Sequence, residues 1–187
     1  MDRESAWQLV REYVSSEALR QHMLCVEAAM RTYAAKLGGD LEQWGLVGLL
    51  HDFDYERWPD PPTHTREGAR ILRERGVDEE IVGAILSHAE WNHDEYLLDR
   101  PLRKALSAVD ELCGFIYAVA LVRPTRLDDM AATSVKKKMK ASQFAAAVSR
   151  EDIARGAELL GISLDEHISN CIAALLGVKD AIGLGSR

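Results

Sequence analysis

The stretch Leu46-Val47-Gly48-Leu49-Leu50-His51-Asp52 runs straight from an apolar segment into an imidazole and a carboxylate. Two such groups closing a hydrophobic helix cost free energy unless a partner compensates them, and a divalent cation would compensate both. Working outward, isolated residues of metal-ligand type stand on apolar stretches to either side, His22 upstream and Asp110 downstream. His22 lies beside Leu19, Met23, Val26, Met30 and Tyr33, whose helical spacing forms one stripe of a long helix that Gly38-Gly39 ends. Asp40 is placed to N-cap the next helix, which passes through Trp44 to Leu50 and delivers His51-Asp52 near its C-terminal end.

The segment from Phe53 to Thr63 contains Trp58-Pro59-Asp60-Pro61-Pro62 and is predicted to be a loop, because proline removes donors and fixes φ. Thr63 is expected to cap a helix from His64 to Arg75, which Gly76 stops. A further helix from Asp78 to His88 places Ile81, Ile85 and His88 on one face. From Leu102 onward, Leu106, Val109, Cys113 and Ile116 mark a long buried helix whose stripe Asp110 borders. Beyond Pro124 come the basic run Lys136-Lys137-Lys138-Met139-Lys140 and two amphipathic patterns, Ser149 to Leu160 and Ser163 to Leu176. The tail, Gly183-Leu184-Gly185-Ser186-Arg187, is expected to be mobile. Alternating β-branched runs bounded by hairpin turns are missing, so the predicted fold is all-α. One domain is expected over residues 1–187, with a metal-binding part at about 18–120 and a C-terminal helical part at about 121–182.

A hydrophobic fraction of 47% excludes a disordered chain, and the formal charge of −7 argues against long nucleic acid or an anionic membrane as partner. Cys25, Cys113 and Cys171 are far apart, within apolar helical patterns, and are read as reduced and buried. The N-terminal residues lack the layout of a signal peptide and no apolar stretch approaches a membrane span, so a cytoplasmic location is expected.

Taken singly, a histidine on an amphipathic helix is more often a hydrogen-bonded core residue than a ligand, and a carboxylate such as Asp110 more often caps or pairs with arginine. The joint pattern differs: His22, His51, Asp52 and Asp110 occupy three helices that one bundle can gather around an ion. Imidazole and carboxylate sources with open positions suit a catalytic transition-metal site. The order His22, then His51-Asp52, then a distant Asp110 resembles the HD-domain metal-dependent phosphohydrolases. The resemblance implies a single-domain HD-type helical bundle in which these four residues hold a divalent ion (Mn, Fe, Co, Ni, Zn or Mg), with Asp52 catalytic at the metal. It implies hydrolysis of a nucleotide or another small phosphoester by metal-activated water. Two other readings are a non-catalytic metal-dependent ligand-binding or regulatory module and a di-iron oxygenase.

His64, in His64-Thr65-Arg66-Glu67-Gly68, and His88 stand where dinuclear members of that family carry extra histidines for a second metal, although Ser87-His88 replaces the common His-His pair. They are read as ligands of a second ion, as phosphate donors, or as surface histidines, and His93 as a loop residue. Asp54 and Glu56 could supply an acid or base near bound water, or solvate the loop. The segment from Ala120-Leu121-Val122-Arg123-Pro124 through Ser134-Val135-Lys136-Lys137-Lys138 is similar to a C-terminal part of small HD-domain hydrolases, and Arg123 and Lys137 are the expected phosphate-binding cations.

Overall fold

Two 21-residue helices form the axis of the fold, α2 (Glu17–Leu37) and α6 (Pro101–Leu121). The computed structural model describes residues 1–185. Around the two long helices are packed α1 (Arg3–Tyr13), α3 (Leu41–Leu50), α4 (Thr63–Glu74), α5 (Glu79–Ser87), α7 (Ala132–Met139), α8 (Arg150–Leu160) and α9 (Leu164–Gly177), and no strand occurs among the described residues. The fold is all-α, as the periodicity predicts.

The helix boundaries follow the local chemistry. Ser16, Asp40, Asp78, Ser149 and Ser163 cap α2, α3, α5, α8 and α9, each side chain accepting a backbone N–H of the first turn. Gly38 ends α2 in the left-handed region at φ 72°, where a Cβ would be strained. Met23, Val26, Met30 and Tyr33 are buried along α2, and Leu106, Val109, Cys113 and Ile116 along α6. One apolar cluster runs from Ala6 to Leu184, so α7–α9 share the core with the N-terminal helices.

The α2–α3 contact is close because of Gly48. A Cβ at Gly48 would lie 2.9 Å from Glu27 Cα and N and from Val26 C, so only glycine permits this approach. Gly156 does the same for α8, where a Cβ would meet the Ala108 backbone at 2.8 Å.

Two local expectations need correction. Thr63 does not cap a helix beginning at His64, because His64 (φ −53°, ψ 140°) and Thr65 (φ 68°, ψ −38°) are non-helical and the regular turns start after them. The tail is not free up to Gly185: Leu184 is buried and its N–H bonds Lys179 O at 2.7 Å, while Ser186 and Arg187 lie outside the described residues. All three cysteines are free and buried. No single helix is long and apolar enough to cross a membrane among the described residues.

Candidate metal centre

Three helices deliver the first group of side chains. His22 projects from α2, His51 is the C-cap of α3, Asp52 follows it, and Asp110 comes from the middle of α6. His22 Nε2 lies 3.2 Å from His51 Nε2 and 3.0 Å from Asp110 Oδ1. His51 Nε2 lies 3.4 Å from Asp52 Oδ2 and 3.5 Å from Asp110 Oδ1, and His22 Nε2 is 3.9 Å from Asp52 Oδ2. Ligand atoms about 2.0–2.2 Å from one ion, at tetrahedral or octahedral angles, are separated by about 2.8–3.6 Å. Four of the five separations fall in that interval, so the donor set fits a single divalent cation.

A second group shares Asp52. Its other oxygen, Oδ1, faces His64 Nε2 at 3.3 Å and His88 Nε2 at 3.4 Å. The imidazole rings of His51 and His64 each lie 5.4 Å from that of His88, centroid to centroid. Among the described residues two groups could hold a metal, His22, His51 and Asp52, and Asp52, His64 and His88, with Asp52 common to both and Asp110 beside the first.

The imidazoles are aimed from behind. His51 Nδ1 donates to Gly48 O at 2.8 Å, His88 Nδ1 to Ile85 O at 2.6 Å, and His64 Nδ1 to Asp54 Oδ1 at 3.0 Å. Each bond leaves Nε2 turned toward the carboxylates, the outer-shell arrangement that orients metal-binding histidines. Burial opposes a charge on His51, but the adjacent Asp52 and Asp110 carboxylates override it and raise its pKa well above the ordinary value. Burial likewise opposes charge on His64, and Asp52 and Asp54 carry its pKa up to about 9. Burial pushes the Asp52 and Asp110 carboxyls up, yet the facing imidazoles hold both well below the usual range.

Residues 19–120, more than half of the 187-residue chain, match the sequence profile of the HD domain. The chain belongs to the HD-domain family. The matched span of this HD domain contains His22, His51, Asp52, His64, His88 and Asp110, and membership places it in the metal-dependent phosphohydrolase superfamily. No curated protein and no solved structure matches the chain.

The HD domain holds His64 with a strained connection. Thr65, a β-branched residue at φ 68°, costs about 1–3 kcal/mol of backbone strain. Buried Asn92 offsets it, donating from Nδ2 to Thr65 Oγ1 at 2.8 Å and to Leu86 O at 3.0 Å while accepting from Arg66 Nε at 3.0 Å. Asn92 thus ties the start of α4, with His64, to the end of α5, with His88.

Several expected site residues lie elsewhere. Asp54 is neither an acid–base group in the cavity nor loop solvation. It is 1% exposed, and its Oδ1 is taken by His64 and its Oδ2 by Gly68 N at 2.8 Å, so it positions His64 from behind. Glu56 is also turned away: its carboxylate accepts from the N–H groups of Ser15 and Ser16 at 2.9 and 3.0 Å, just before α2. Arg123 is bound to Asp129 Oδ1 at 2.7 Å and Arg126 O at 3.0 Å, beside a separate cavity lined by Pro124, Thr125 and Asp128. Its Cα is thirteen residues beyond Asp110 along and past α6, about 20 Å at the helical rise. Lys137 is exposed on α7, and neither it nor Arg123 lines the metal cavity. His93 bonds Ser87 O at 2.9 Å and stays outside the cavity, as a loop residue.

The cavity beside the donor groups has a volume of about 440 Å³. Its walls include Tyr55, Glu90, Trp91 and Glu111, none of which stood out in the sequence. For Glu111 the available signal was its adjacency to Asp110, and for Trp91 its position three residues after His88. Burial and the Asp110 charge raise the Glu111 carboxyl above its ordinary pKa, although it accepts from Ser149 N at 3.1 Å.

Proposed function

We propose that the protein is a metal-dependent phosphohydrolase acting on a nucleotide or another small phosphoester. The observation that carries this reading is Asp52, whose two oxygens face two histidine groups at separations suited to cations. In this reading His22, His51, Asp52 and Asp110 hold one divalent ion, and Asp52, His64 and His88 hold a second. The chemistry such ions supply is Lewis-acid polarisation of a phosphoryl oxygen and a lowered pKa for water.

The chain's own residues do the positioning. Gly48 O, Ile85 O and Asp54 fix the three imidazoles, while Asn92 holds the two histidine-bearing segments in register. The cavity, about 440 Å³, lies within the size range of small-molecule sites and opens directly on His22, Asp52, His64, His88 and Asp110.

Metal analysis paired with phosphate release from a panel of nucleotides and sugar phosphates tests the proposal, with each candidate metal supplied in turn. Asp52→Asn keeps the size of the side chain but removes the bridging charge, so metal content and hydrolysis should fall together. Full hydrolysis by metal-bearing Asp52→Asn, or none by the metal-loaded native protein, would refute it. The shared carboxylate also suits a di-iron centre, and oxygen uptake by the iron-loaded protein without phosphate release would favour that chemistry instead.

A further inference from the structure

We propose that the metal cavity selects phosphate esters that bear a planar aromatic ring and a single phosphate, with Tyr55 and Trp91 as the walls that hold the ring. This names the substrate class of the phosphohydrolase reading and rests on it.

The first observation is the placement of the two aromatic side chains. Tyr55 is 45% exposed and Trp91 40% exposed, yet both line the cavity that holds the metal-type donors. Nearby aromatics behave differently: Trp58 and Tyr96 pack against the hydrophobic core, whereas Tyr55 and Trp91 are not part of it. Core packing therefore does not account for the two exposed rings. Both flank His64 edge-on, with ring centroids 5.1 Å from Tyr55 and 6.0 Å from Trp91. A ring resting against these two side chains and a phosphate at the His64–His88–Asp52 group would be parts of one small molecule.

The backbone at both positions is also anchored. Trp91 sits between Glu90, which pairs with Arg155 at 3.1 Å, and Asn92, which is buried and bonded to Thr65 and Leu86. Tyr55 follows Asp54, whose carboxylate is locked between His64 and Gly68. Aromatic walls on anchored backbone bind a flat partner with little loss of side-chain freedom.

Charge sets the number of phosphates. Besides Asp52 and Asp110 the cavity is lined by Glu90 and Glu111, and among the described residues no lysine or arginine lines it. The adjacent Arg155 is already paired with Glu90 at 3.1 Å and with Asp152 at 2.7 Å. Cations held by the histidine groups would neutralise one phosphate, whereas each further phosphate would face Glu111 and an Arg155 already held by Glu90 and Asp152.

The test uses the full chain loaded with Mn²⁺ and three probes: AMP, ribose 5-phosphate and ATP. Binding is measured by titration calorimetry and by quenching of tryptophan fluorescence, and turnover by phosphate release. Stacking of one base predicts that AMP binds about 5–150-fold more tightly than ribose 5-phosphate, and AMP should also bind more tightly than ATP. Trp91→Ala and Tyr55→Ala should each shrink the first ratio, Trp91→Phe should keep most of it, and Glu90→Gln should narrow the gap between AMP and ATP. Unchanged melting and metal content establish that the variants are folded and loaded. Equal affinity for AMP and ribose 5-phosphate, or a preference that survives both alanine variants, would overturn the proposal, as would ATP binding as well as AMP. Hydrolysis without this discrimination sinks the aromatic selection alone. Aromatic selection in binding without any hydrolysis sinks the phosphohydrolase reading and leaves the ring site standing.

Discussion

Replacing Gly48 with alanine should loosen the metal centre without touching any ligand. The added Cβ would stand 2.9 Å from Glu27 Cα, Glu27 N and Val26 C, all backbone atoms of α2 that cannot rotate aside. Ordinary contact begins about 0.5 Å farther out, so α2 and α3 must separate by at least that much or deform. His22 rides on α2 and His51 ends α3, so the same movement acts on their 3.2 Å separation. Overpacking of this kind costs about 1–3 kcal/mol. For a chain of this length that corresponds to a melting temperature lower by about 2–12 °C. Metal affinity should fall about 10–100-fold, the usual effect of disturbing the support behind a ligand. The assay pairs thermal melting of the metal-free protein with metal titration by calorimetry. Gly177→Ala is the control, because a Cβ there meets nothing within 4 Å. If Gly48→Ala melts like the native protein and binds metal equally well, the argument from close approach is wrong.

Asp54→Ala leaves His64 Nδ1 and Gly68 N without their acceptor, so occupancy at the Asp52–His64–His88 group should drop about 10–100-fold while the His22 group keeps its ion. Metal stoichiometry against concentration reads this directly, and equal loss at both groups would contradict a local role. In the metal-free protein the facing carboxylates raise the pKa of His51 and carry that of His64 up to about 9, so a cation binding these imidazoles competes with protons. Metal affinity should therefore rise with pH through about 9, with proton release visible in calorimetry across buffers of different ionisation enthalpy; pH-independent binding would exclude these imidazoles as ligands. The same raised pKa gives the metal-free protein a stability contribution from His64 that is full below its unfolded value and lost as pH rises through about 9.

His22, His51, Asp52 and Asp110 could be picked out in the sequence because polar ligand types on apolar helical stripes are conspicuous, and helical periodicity determines which face they share. Asp54 could not be placed that way. In a turn, two residues of separation do not determine direction, and the hydrogen bonds from His64 and Gly68 draw its carboxylate inward. The expectation for Arg123 and Lys137 rests on composition and family likeness, and composition carries no address. The length of α6 sets Arg123 far from Asp110, and a loop acceptor, Asp129, takes its guanidinium. The cap expected at Thr63 does not form because His64 and Thr65 leave the helical region, and the partner that holds Thr65 there, Asn92, is remote in sequence. The seating of the tail is likewise tertiary, since Tyr117 and Arg126 bind the carbonyls of Ile182 and Gly183 and Leu184 is buried.

The two histidines that end helices explain why so apolar a segment can close on a ligand. A helix leaves its last carbonyls without intrahelical donors, and a cation near that end is favoured by the helix dipole. His51 and His88 are the C-caps of α3 and α5, and each donates Nδ1–H to the carbonyl three residues earlier, Gly48 or Ile85. Each of these bonds engages a carbonyl of the last helical turn, fixes the ring and turns Nε2 outward toward Asp52. His64 has no helix end behind it, because the chain at Thr65 is kinked, and it takes the Asp54 carboxylate as its acceptor instead. The three imidazoles are therefore directed at one carboxylate by three backbone-anchored acceptors, and Asp52 joins the two groups because its two oxygens are divided between them. In this arrangement the apolar run before His51 buries that ring and its bond to Gly48 O, so the feature that is costly for packing is what makes this donor directional.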